Sequence, residues 1–149
     1  MPGKLGRMSE AEDRAPEEAP ELTDEQLDFL NSMFDLARDG RTADLLGLID
    51  QGIPVNLTNS KGDSLLILAS YNDHADLVAG LIAREADPDR MNDRGQTALS
   101  CAVFRQNEDI TVQLLQAGAD VHLGPQNPYA VIDMFGLENM RTVVERHTS

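Results

Sequence analysis

Apolar residues return at helical spacing along most of this chain. Leu27, Leu30, Phe34 and Ala37 fall on one face of a helix that Gly40 ends. Thr23, with Gln26 three positions on, forms a capping box that predicts where this helix starts, and Leu22 before it predicts a hydrophobic staple. Further on, Ser64 predicts the cap of a short helix that runs to about Tyr71, followed by a turn at Asn72 and Asp73. A second helix is predicted from about Ala75 to Arg84, with Leu77, Val78, Leu81 and Ile82 on one face. Pro88, in Asp87-Pro88-Asp89, cannot continue it. Residues Arg90 to Arg94 then read as an exposed finger that returns through Gly95, where a positive φ is easily adopted.

This unit repeats with a period of 33 residues. Gly62 recurs as Gly95, Ser64 as Thr97, Leu66 as Leu99 and Ala69 as Ala102. Leu81 and Ile82 recur as Leu114 and Leu115, and Ala86-Asp87 as Ala119-Asp120. The same offset backwards sets Gly40 under Asp73, Leu48-Ile49 under Leu81-Ile82, and Gly52 under Glu85. Periods of 20–50 residues mark stacked-repeat architectures, in which one thin unit buries its face only against the next.

The second unit reads NSKGDSLLILASYNDH from Asn59, and the third reads NDRGQTALSCAVFRQN from Asn92 and closes on LLQAGADV from Leu114. These segments resemble the ankyrin repeat over about residues 24 to 146. The resemblance implies an all-α solenoid of helix-turn-helix units joined by β-turn fingers. It sets the units at about 24–58, 59–91 and 92–124, with a capping unit at 125–149, all within a domain of residues 23–149. The family's Pro after the capping residue is replaced by Leu65 and Ala98, and its His by Ile67 and Ser100, which implies a softer stack. His74 matches the family's turn His and is expected to be structural. In the fourth unit Gly136 takes the turn position, which predicts a helix A about three residues shorter.

Residues 1–22 differ in composition. Ser9 to Glu21 reads SEAEDRAPEEAPE, too poor in apolar groups to offset the ordering of its backbone, and is expected to be a disordered acidic tail. Met8 is a second candidate initiator within it. Met1 to Arg7 holds a lone Leu5, and no apolar run approaches the ~20 residues that span a bilayer. A cytoplasmic protein is expected.

The net charge of −14 disfavours nucleic acid and membrane surfaces as partners. Residues 23–149 alone carry 20 acids and nine bases, a net −11. No cofactor, metal or catalytic constellation emerges. His122 and His147 lack metal-site spacing, and Cys101 falls on the inward side of its helix as a core thiol. An enzyme is therefore not expected.

The resemblance points to one protein-binding face, formed by finger tips and by the exposed positions of each first helix. Here these are Lys61, Asp63, Tyr71 and Asn72, then Met91, Asp93, Arg94, Gln96, Phe104 and Arg105, with Arg38 extending the row backwards. Tyr71 and Phe104 are one period apart, so stacking predicts two rings side by side, with Arg105 near them. The expected function is a non-catalytic, monomeric interaction module for a partner protein. Two alternatives use the same scaffold: an accessory subunit of an enzyme, regulatory or chaperone-like, and an acidic mimic that blocks a basic nucleic-acid-binding site.

Overall fold

A computed structural model of the protein describes residues 22–148. Residues 1–21 of the predicted tail, and with them the alternative start at Met8, lie outside the described residues. Among the described residues, eight helices follow in order: α1 (Asp24–Asp39), α2 (Thr42–Asp50), α3 (Leu65–Tyr71), α4 (Ala75–Ala83), α5 (Ala98–Phe104), α6 (Glu108–Gln116), α7 (Pro128–Phe135) and α8 (Glu138–Arg146).

The start of α1 belongs to a compact unit that ends at Leu30. Its capping box is made in both directions. The Thr23 amide donates to Gln26 Oε1 at 2.9 Å, and the Gln26 amide donates to Thr23 Oγ1 at 3.1 Å. Leu22 and Leu27 are exposed, so the predicted apolar face does not bury Leu27.

From Asn31 onwards the chain forms one array. Met33, Phe34 and Ala37 are the buried residues of α1 and belong to its core. The helices form two rows. The short first helices α3, α5 and α7 lie side by side, and α2, α4, α6 and α8 form the second row. Each pair, α3–α4, α5–α6 and α7–α8, closes as a hairpin. Leu66 and Leu99 are both buried in the one core cluster, as their shared register requires.

Local chemistry sets each boundary. Ser64 Oγ accepts from the Ile67 amide, Thr97 and Ser100 form a capping box, and Asn107 and Asn127 cap α6 and α7. Positive φ marks the turns between paired helices at Gly40, Asp73, Gln106 and Gly136. It recurs after the second helices at Gly52, Glu85 and Gly118, and in the fingers at Gly62, Gly95 and Gly124.

The fourth unit differs from the prediction. Its helix α7 is full length: Gly136 follows the cap Asn127 by nine positions, as Gln106 follows Thr97. The missing three residues lie in the finger. Asn127 follows Gly118 by nine positions, where Thr97 follows Glu85 by twelve. A finger crosses water and can be shortened, whereas a shorter helix would lose buried residues such as Val131 and Ile132.

Polar bonds spanning roughly one period tie the units together. His74 Nε2 donates to the Arg38 carbonyl at 2.6 Å, and Asn107 Nδ2 donates to Asp73 at 3.1 Å. In the fingers, Asn92 Nδ2 donates to the buried Asp63 carboxylate at 2.8 Å, and the Asp93 amide donates to the Lys61 carbonyl at 3.0 Å. Asn56 and Asp89 accept from the amides of Asp87 and Asp120. At the positions of the family's motif His in the first helices, Ile67 is apolar and Ser100 spends its hydroxyl inside its own turn, so these ties between units come from other residues.

Candidate functional site

The first helices and fingers of successive units enclose a groove of about 750 Å³. Repetition builds it. The residue before each helix cap contributes Asp63, Gln96 and Gln126. The fourth position after each cap contributes the floor residues Leu68, Cys101 and Val131, all buried. The seventh contributes Tyr71, Phe104 and Met134, and Arg38 occupies the equivalent place in α1, two positions before its turn glycine.

The ring row forms as the register predicts. Tyr71 and Phe104 stack with centroids 6.3 Å apart and planes 4° from parallel. Phe135 meets Phe104 edge-on at 5.1 Å and 68°. None of the three is core, since Tyr71 is 43% exposed, Phe104 40% and Phe135 53%. Met134 beside them is 63% exposed. Contiguous exposed apolar surface of this kind is what protein partners commonly cover.

The predicted site residues divide into two groups. Arg38, Tyr71, Asn72, Arg94, Gln96 and Phe104 line the groove. Asp63 lines it too but is buried and already engaged by Asn92, so it fixes the fingers. Lys61, Met91, Asp93 and Arg105 do not line it. Met91 Sδ covers Gly124 of the next finger, where a Cβ would come within 2.6 Å of it. Arg105 holds Asp73 at 2.7 Å while its guanidinium carbon lies 5.6 Å from the Tyr71 ring centre. That bond braces the ring row from outside the groove.

Met134, Phe135 and Gln126 were not foreseen. The signal was an offset of 30 in place of 33, hidden because the deletion was expected in helix A and lies in the finger.

Burial pushes the Cys101 thiol up to about 12, with the Asp63 charge adding to it, so the thiol is held neutral. Partial desolvation raises the exposed Asp73 carboxyl, but hydrogen bonds from Arg105 and Asn107 outweigh it and leave its pKa lowered. Among the described residues, no group of three or more His, Cys, Asp or Glu side chains could hold a metal ion. Also among them, no helix is long and apolar enough to cross a membrane.

The family model for ankyrin repeats in three copies matches residues 33–124, and the chain belongs to that family. Ankyrin repeats are in general non-catalytic modules for protein–protein interaction. An ankyrin repeat protein of Pseudomonas aeruginosa is 56% identical over 59 residues, 40% of this chain and 34% of that protein. Ankyrin repeat and SAM domain-containing protein 6 of Mus musculus is 40% identical over 86 residues, 57% of this chain and 10% of its own length. Inactive serine/threonine-protein kinase TEX14 of Mus musculus is 29% identical over 127 residues, 83% of this chain and 9% of its own length. The chain thus spans about a third or less of these relatives.

Proposed function

We propose that the chain is a non-catalytic cytoplasmic adaptor, monomeric, that holds a partner protein in the groove between its fingers and first helices. The observation that carries this reading is the row Tyr71–Phe104–Phe135, partly exposed and set over a buried floor. Large rings presented this way at low entropic cost are the side chains that most often dominate interface energy, at about 2 kcal/mol or more each. The residues proposed to touch the partner are Arg38, Tyr71, Asn72, Arg94, Gln96 and Phe104, joined by Met134 and Phe135. Lys61, Met91, Asp93 and Arg105 would serve at the rim. Residues 1–22 are proposed as an appended acidic tail. The four units at about 24–58, 59–91, 92–124 and 125–149 are proposed to form the scaffold, the last as its cap.

The test is affinity capture followed by mass spectrometry, with the wild type beside Tyr71→Gln/Phe104→Gln. Glutamine keeps helix propensity and an aliphatic stem but removes the rings. The expected result is one partner held by the wild type and lost from the variant, with helical circular dichroism unchanged. Equal capture by both proteins would refute the groove. Retention that falls steeply with salt would favour the acidic-mimic alternative.

A further inference from the structure

Lys61 and Arg94 stand one period apart, each directly before a finger glycine with positive φ, Gly62 and Gly95. Both are exposed, and neither makes an ion pair among the described residues, unlike Arg38 and Arg105. The bond from the Asp93 amide to the Lys61 carbonyl holds the two fingers side by side. Arg94 lines the groove, and Lys61 stands at the same position of the preceding finger. The charged side chains lining the groove are Arg38 and Arg94 against Asp63 alone, and Asp63 is buried and engaged by Asn92. Asp93 is the exposed acid between the two fingers, and its Oδ1 is turned over Gly62, where a Cβ would lie 2.8 Å away. On a chain of net charge −14, this is a surface where acids do not outnumber bases.

We infer that the groove takes an extended peptide segment that pairs one or two carboxylates with an aromatic or leucine anchor. This rests on the groove being the partner-binding face, as proposed above. The carboxylates meet Lys61 and Arg94, the latter able to bind bidentately. The anchor lies on Tyr71, Phe104 and Phe135, over a floor that excludes water. A single-stranded nucleic acid would use the same rings and cations. A long polyanion, however, meets the field of the whole acidic chain, whereas one or two carboxylates feel mainly the cations within a Debye length of about 8 Å.

The test is selection of random peptides displayed on phage against the immobilised full chain. The enriched peptides are then synthesised and measured by fluorescence anisotropy, with an oligouridylate as second probe. Enrichment of Asp or Glu next to Phe, Tyr or Leu is expected. Binding should weaken about tenfold or more in Lys61→Glu/Arg94→Glu, whose circular dichroism should match the wild type. It should also be lost in Tyr71→Gln/Phe104→Gln. Enrichment of basic or uncharged peptides that still need the rings would overturn the acidic class and leave the groove standing. Peptides indifferent to loss of the rings would overturn both. No enrichment, or oligouridylate binding in place of the peptides, would also overturn the inference.

Discussion

Ser70 sits fully buried on α3, and its hydroxyl finds no hydrogen-bond partner. One period on, the same position holds Val103, which needs none. A buried polar group without a partner carries a desolvation cost that no bond offsets. Ser70→Ala removes that cost, loses almost no volume and improves helix propensity. The expected gain is about 0.5–1 kcal/mol in urea unfolding. A loss of similar size would mean that the hydroxyl has a role in packing or solvation. The aromatic positions illustrate the opposite case. Tyr71 and Phe104 were readable as a pair because stacking turns a distance of one period into a contact, and they meet at 6.3 Å. Asp63 was read as a partner contact, but it is buried beneath the Asn92 amide. Residue type at a finger position does not reveal which carboxylates a neighbouring finger covers.

The helices were legible because their ends are local events. Ser64, Thr97 and the Thr23–Gln26 box mark starts through side-chain oxygens that satisfy free amides, and the structure makes each of those bonds. Ends are marked by positive φ, but the residue there is glycine in only some units. Glu85 has φ +66, where Gly52 and Gly118 stand in its neighbours. A side chain in that region costs about 1–2 kcal/mol, partly balanced by the greater entropy of an unfolded glycine. Glu85→Gly should therefore raise stability by about 0.5–1 kcal/mol, read as a higher urea midpoint at unchanged slope. A lower midpoint would show that the Glu85 side chain contributes more than its backbone costs.

The turns between helices also carry the pH response. The Arg84 hydrogen bond holds Asp50 below its usual pKa, and Asp73 is lowered despite its partial desolvation. For a carboxylate lowered on folding, the unfolded chain takes up the proton first as pH falls. Its stabilising effect is therefore complete above the ordinary value of 3.8 and is lost as pH drops through the folded value. Urea midpoints taken from about pH 6 to about pH 2 should fall on the acid side, and Arg105→Ala should flatten that fall. Parallel profiles for the two proteins would remove Asp73–Arg105 from the account.

Across the whole array, the period of 33 determines both what is buried and what is offered. One set of repeated positions, Leu66 and Leu99 among them, closes the core, and another, Tyr71 and Phe104, remains partly exposed along a groove. The extent of that groove was only partly legible. The fourth unit keeps its helix and shortens its finger, so Met134 and Phe135 enter at an offset of 30. A fixed period misses a residue displaced by a deletion, and only packing shows where the chain absorbs it.

The division between core and groove is tested by urea unfolding of Leu99→Ala beside Phe104→Gln. Leu99 is fully buried and should cost about 2–5 kcal/mol when truncated, whereas the half-exposed Phe104 should cost less than about 1 kcal/mol. Equal losses in the two variants would place the Phe104 ring in the core and contradict its proposed role as a surface open to a partner.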